Sequence, residues 1–283
     1  MTRGFVQISF GFVLTGLAMA QAPAARPQFE VASVKPNTSG TPNDRINGPL
    51  GGNRFAATNI NLRLLITLAY NVKNFEISGG NGVVDTGRYD IEARAAEARP
   101  GEEQARLMLQ ALLADRFQLM VHRETKEVPV YVLVPVKGGA KLAEPKEGSC
   151  IKFDPASPPP PPTPGQPPPK FCGGFMMGPN TLRGGRISMK QFAEGLSNIL
   201  GRPIIDKTGY TGTLDVALEF SQEGVDMVGL FGGAPFIVGK PPDDDTKPSI
   251  FTALQDQLGL KLESQKGPAQ ILVVDHAEKA SEN

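Results

Sequence analysis

Leu109-Gln-Ala-Leu-Leu-Ala-Asp-Arg-Phe-Gln-Leu-Met-Val121 and Ile250-Phe-Thr-Ala-Leu-Gln-Asp-Gln-Leu-Gly-Leu-Lys-Leu262 align without a gap. Each reads as an amphipathic helix running into an alternating strand. Ser249, after Pro248, is placed to cap the second helix. Downstream of each come a few charged residues and an expected turn. The apolar runs Val130-Tyr-Val-Leu-Val134 and Ile271-Leu-Val-Val274 follow, and they suit buried strands.

Upstream the correspondence continues. Thr86-Gly-Arg-Tyr-Asp-Ile and Thr211-Gly-Thr-Leu-Asp-Val share T-G-x-x-D-(I/V), a turn leading into a strand. Short apolar strands are expected before them, at Phe75-Glu-Ile77 and Pro203-Ile-Ile205. Earlier still, Leu62, Leu65, Leu68, Ala69 and Val72 recur at helical spacing, as do Met189, Phe192, Leu196 and Ile199. Ser188 and Gln191 make an S-x-x-Q capping box. A strand over Phe29–Val34 is expected to open the first set. The fold class expected is α+β, built as two similar modules by internal duplication, each with two helices packed on a small, mainly antiparallel sheet.

Four segments follow from this reading. Residues 1–20 read as a secretory signal: Arg3, an apolar stretch from Phe5 to Leu17, then Ala18-Met19-Ala20 as cleavage pattern. Residues 28–149 form the first module. Residues 150–172 form a linker, with ten of the chain's 26 prolines between Pro155 and Pro169. Proline lacks an N–H and fixes φ, so that stretch can be neither helix nor sheet. Residues 173–283 form the second module, with an insertion at 221–247. After the signal no apolar run reaches the ~18 residues of a membrane span, so no integral span is expected once the signal is removed.

The expected location is therefore extracytoplasmic, periplasmic or secreted. Export gives Cys150 and Cys172, the only two cysteines, a meaning. They bracket the proline tract and are expected to form one disulfide in an oxidising compartment. The competing reading, two free thiols with one a nucleophile, has no CxxC or papain-like context behind it.

Charge and composition narrow the function. The chain has 283 residues with 29 Lys+Arg against 29 Asp+Glu; loss of residues 1–20 takes Arg3 and leaves 28 against 29, a net of −1. That balance argues against a nucleic-acid partner, which needs a basic surface. With two His and two Cys, no metal site, cofactor or catalytic set is expected. Asp206-Lys-Thr-Gly209 resembles a phosphorylated-aspartate loop, but Tyr210 follows and a turn between strands explains it better. His122-Arg-Glu124 offers a base and a carboxylate, yet His122 falls on the outward positions of its strand. Asp243-Asp-Asp245 lacks the spacing and glycine of a calcium loop. Arg183, Arg186 and Lys190 read as an ordinary charged face.

The insertion is unusually apolar. Met227, Val228, Leu230, Phe231, Phe236 and Ile237 are its candidate partner patch, against the plainer reading of a loop folded on the core. The function expected is an exported, non-enzymatic binding module of the cell envelope, with a protein, peptide or polymer as partner. The alternative is an envelope hydrolase with its site between the two modules.

Several of these segments also carry a family resemblance. Phe29-Glu-Val-Ala-Ser-Val-Lys-Pro-Asn37, Arg88–Ala93, Leu112–Phe117, His122–Lys126, Gly201-Arg-Pro203, Asp206–Gly209, Leu258–Ser264 and Val274-Asp-His276 resemble the soil-associated DUF3738 family, numerous in Acidobacteria. The tail departs from the pattern at Ala280, where proline is expected. The resemblance implies export and no established activity. Related domains sit at the extracytoplasmic end of membrane proteins akin to antibiotic-sensing metallopeptidases, but this chain has no second span and no His-Glu-x-x-His. The helix–strand units also resemble small α+β modules of secretins and TonB-dependent receptors, a likeness that favours interaction over catalysis.

Overall fold

The structure, a computed structural model, describes residues 26–40, 45–47, 50–142, 144–152, 170–178, 180–221 and 246–280. The expected leader, the proline tract and the apolar patch of the insertion lie outside these residues.

In the first half, β1 (Val31–Pro36), β5 (Tyr89–Arg94), β3 (Arg54–Ile60) and β2 (Arg45–Asn47) lie side by side as an antiparallel sheet. Helix α1 (Leu62–Tyr70) starts where the Asn61 carboxamide accepts the Leu64 N–H at 2.9 Å. It buries Leu62, Leu65, Ile66 and Ala69 and stops at Asn71, in the left-handed region with φ 51°. A 3-10 turn (Asn74–Glu76), β4 (Ile77–Gly79) and the short α2 (Val83–Thr86) lead back to β5. The predicted strand at 75–77 is thus mostly turn, with the strand moved to 77–79. Helix α3 (Glu102–Phe117) then packs against α1.

The end of α1 is closed by side chains. The last four carbonyls of a helix have no partner within it. Here the Thr67 carbonyl accepts the Asn71 N–H, that of Leu68 accepts Arg106, that of Ala69 accepts Gln110 at 2.8 Å, and that of Tyr70 accepts Arg123 at 3.1 Å. Two of these donors are cations at the negative end of the helix dipole.

The second half repeats much of the order. β7 (Gly174–Gly178), β8 (Thr181–Ser188) and β10 (Thr213–Glu219) form an antiparallel sheet. Helix α4 (Met189–Leu200) has both bonds of the predicted Ser188–Gln191 capping box. β9 (Ile204–Asp206) follows, and α5 (Ile250–Leu258) begins where Ser249 accepts the Thr252 N–H.

The largest departure from the sequence reading is at the expected turns. There are none: β6 (Met120–Pro135) and β11 (Leu260–His276) are single long strands, paired antiparallel in one unbroken register from Leu260↔Pro135 to Val274↔Val121. β4 adds to β11 in parallel at 272–274, and β9 adds to β6 in parallel at 131–133. Pro129 and Pro268 lie within these strands. In the observed register both stand at positions whose backbone points away from the partner strand, so the missing N–H costs the ribbon no bond.

Each core also draws on a strand from the other half. The first contains Leu62, Leu65, Leu109, Leu113 and Phe117 together with Leu272 and Val274 of β11. The second contains Phe192, Leu196, Leu214, Leu254 and Leu260 together with Leu133 of β6. The class is mixed α/β with several antiparallel sheets and five helices among the described residues. Each half has a sheet of its own, and the two share a third, ordered β4-β11-β6-β9.

Arg106→Ala leaves the Leu68 carbonyl without its cationic donor. It is expected to destabilise the fold by about 1–2 kcal/mol, read as a lower urea midpoint at unchanged slope.

Candidate functional site

The repeated T-G-x-x-D places its aspartate at a bulge. Between Ala57 and Ile60 the β3–β5 register slips, and Asn59, 4% exposed, takes φ 57°. Its N–H leaves the ladder and is accepted by Asp90 Oδ1 at 2.9 Å, which also accepts Asn37 Nδ2 at 2.7 Å. The β8–β10 register slips likewise, Arg186 takes φ 48°, and Asp215 Oδ1 accepts its N–H at 3.0 Å. A bulge leaves one amide unpaired, and a fixed carboxylate satisfies it. The glycine is needed for close approach: a Cβ on Gly87 would lie 2.5 Å from the Tyr89 hydroxyl, and one on Gly212 2.8 Å from that of Tyr210.

Asp215 is 13% exposed on its side chain, with Lys170 Nζ 3.4 Å from its other oxygen. Burial pushes its carboxyl up, but the Arg186 N–H and the Lys170 ammonium outweigh this and hold it below the usual carboxylate range.

The two sheets differ beyond these aspartates. In β5 the backbones of Asp90, Glu92 and Arg94 face outward, and β1 pairs with them, Lys35 opposite Asp90 and Ser33 opposite Glu92. In β10 the Phe220 N–H reaches the Asn180 carbonyl on the β8 side, so by alternation Asp215, Ala217 and Glu219 face away from β8. No described strand pairs there. The Gln257 carboxamide instead donates to the Glu219 carbonyl at 2.8 Å and accepts its N–H at 3.1 Å, the two bonds a neighbouring peptide would make. The Tyr210 hydroxyl donates to the Thr213 carbonyl at 3.0 Å. Ala217 is exposed in the middle of that edge.

The histidines have carboxylate partners on open surface. His122 Nδ1 lies 2.8 Å from Asp275 Oδ2, and Nε2 lies 3.8 Å from Glu124. His276 Nε2 lies 3.0 Å from Glu278. Both rings are about half exposed, 51% and 47%. A cavity of about 230 Å³ lies between β1 and α3, lined by Phe29, Glu30, Met108, Leu112, Asp115 and Arg116 among others. Another, about 450 Å³, is lined by Val31, Asn53, Arg54, Glu92, Ala93 and Arg94. Neither reaches His122 or His276.

Residues 63–277 match the family described as protein of unknown function (DUF3738). The chain belongs to the DUF3738 family. No curated protein and no solved structure matches it. The DUF3738 match begins within α1 and ends just past β11, so it takes in the whole β6–β11 ribbon and β10 but neither β1 nor β3.

The other residues singled out from the sequence of this DUF3738 protein fall as follows. Cys150 and Cys172 are bonded, with Cα atoms 5.1 Å apart. The 22-residue separation gives the bond about 3 kcal/mol in the chain-entropy view. Asp206 Oδ1 accepts the Thr208 N–H at 2.8 Å and its hydroxyl at 2.7 Å, the local turn expected after β9. Arg186 and Lys190 are exposed, while Arg183 is half-buried. Met227, Val228, Leu230, Phe231, Phe236 and Ile237, like Asp243–Asp245, lie outside the described residues. Among the described residues no helix is long and apolar enough to cross a membrane. The sequence reading missed the bracing by Asp90 and Asp215 and the Gln257 cap; the recurring aspartate was the only available signal.

Because its folded carboxyl is held low, Asp215 contributes stability that is complete above the unfolded value near 3.9 and is lost as pH falls through the lower folded value. Asp215→Asn is expected to lower stability by about 1–3 kcal/mol at neutral pH. It should also flatten the decline between about pH 5 and 2, measured by urea unfolding across that range.

Proposed function

We propose that this DUF3738 protein is an extracytoplasmic, non-enzymatic binding module that takes up an extended polypeptide along the outer edge of β10. The observation that carries this is the contrast between β5, whose outward backbone is paired by β1, and β10, whose equivalent backbone at Asp215, Ala217 and Glu219 has no described strand beside it. An exposed edge accepts an extended peptide through main-chain bonds. The Gln257 carboxamide occupies the Glu219 end as a peptide group would.

The rest of the reading is consistent with that role. The disulfide and the leader-like residues 1–20 support export to the periplasm or beyond. The paired bulges at Asn59–Asp90 and Arg186–Asp215, with matching parallel additions of β4 and β9, support descent from a duplicated module. We also assign the chain to the soil-associated, acidobacterial-type part of the family. The partner belongs to the envelope, as protein, peptide or polymer, with peptide favoured by the edge.

A hydrolase remains the second reading, favoured by the 2.8 Å His122–Asp275 pair on the ribbon joining the halves.

A synthetic peptide with the β1 sequence Glu30–Asn37 serves as the probe. Its titration into labelled protein is expected to shift the amide resonances of 213–219 and of Gln257. Gln257→Ala, which frees the Glu219 backbone, is expected to tighten binding about fivefold. Shifts confined to other surfaces, or none, would remove the β10 reading. Turnover of ester, amide or glycosidic substrates that vanishes in His122→Ala would favour the hydrolase.

A further inference from the structure

The free edge of β6 is separate from that of β10 and has a feature of its own. The Tyr131 N–H goes to the Pro203 carbonyl, and the Leu133 carbonyl accepts the Lys207 N–H. Odd-numbered residues of β6 therefore turn their backbones away from β11. β9 occupies that side only at 131–133. From Met120 to Val130 no described strand pairs there, and His122, Arg123, Glu124, Thr125 and Glu127 are exposed. The midpoint of this open stretch is Thr125.

The sequence of the stretch is self-complementary about the same residue. Arg123-Glu124-Thr125-Lys126-Glu127 carries charges in the order plus, minus, none, plus, minus. Laid antiparallel against itself with Thr125 opposite Thr125, it sets Arg123, which also donates to the Tyr70 carbonyl, against Glu127 on one face, and on the other sets Glu124 and Lys126, an ion pair within the chain at 3.0 Å, against Lys126 and Glu124 of the second copy. Opposite charges directly across a strand pair attract, and like charges repel. The outward backbones of Arg123, Thr125 and Glu127 then exchange both main-chain bonds with their opposite numbers. Pro129, without an N–H, ends the ladder where Val121 stands opposite, just short of the β9 contact at Tyr131. The free edge of β11 offers no equivalent, since Pro268 interrupts it.

We propose that the partner at this edge is a second copy of the same chain. Two molecules join antiparallel through β6 about a two-fold axis at Thr125, which makes one continuous sheet running β4–β11–β6 into β6–β11–β4 of the second copy. The interface is isologous, as a closed dimer requires.

Sedimentation of the purified protein over a dilution series is expected to show a monomer–dimer equilibrium. Glu124→Lys sets Lys against Lys twice across the axis and is expected to weaken the dimer about tenfold. Adding Lys126→Glu restores opposite charges in reversed order and is expected to return the dimer to its original strength. Thr125→Pro removes an N–H that points away from β11, so the ribbon keeps its ladder while the dimer loses its central bonds. Circular dichroism melts report whether each variant is folded; if the proline variant is not, the charge reversal and its rescue decide. A protein that is monomeric at its highest soluble concentration overturns the proposal. So does a dimer unaffected by Glu124→Lys, or one that the charge exchange fails to restore.

Discussion

The molecule depends on the ladder between β6 and β11. It is the one pairing that joins the two halves of the chain over the full length of both strands. Each end of the ribbon supplies side chains to a different core, Leu272 and Val274 to the first and Leu133 and Leu260 to the second. Neither core can close without a strand from the other half. Apolar burial thus makes the halves interdependent: unpairing the ribbon exposes both cores at once.

That arrangement leaves the middle of the ribbon with little to cover it. His122 to Thr125, Glu127, Lys266, Pro268 and Gln270 are exposed, and their polarity follows from this position. Bare edges invite pairing with other chains, and proteins blunt them with charge and proline. Pro268 and Pro129 do this on the two sides of the ribbon. The Gln257 carboxamide and the Tyr210 hydroxyl do it with side-chain bonds on β10. Where such blunting stops, along Arg123–Glu127 and at Ala217, no described strand lies beside the backbone.

A second constraint recurs in both halves. A left-handed residue at a bulge, Asn59 or Arg186, turns its amide out of the ladder, and the aspartate that ends the T-G-x-x-D segment takes it. Asparagine tolerates that conformation, whereas arginine rarely adopts it. In the second half the carboxylate of Asp215 is correspondingly held by Lys170 as well, two residues before the Cys172 half of the disulfide.

Much of this was legible in the chain. The 3.6-residue spacing of Met189, Phe192, Leu196 and Ile199 gave α4 and its buried face, and Ser188–Gln191 and Ser249 gave helix starts, because caps and amphipathic periods are local physics. The cysteine pair was legible from its isolation. The turns expected after Val121 and Leu262 were wrong for a non-local reason. A charged run looks like a turn when its partner is unknown, and only the register of β6 against β11 shows it continuing as strand past both prolines. Likewise His122 read as a lone surface histidine until the fold brought Asp275 to 2.8 Å, across 153 residues of sequence. By itself the sequence determined the four longer helices and the caps of two of them. Tertiary structure decided which strands pair and which edges stay open, since hydrogen-bond partners on a strand are chosen by whatever chain lies alongside.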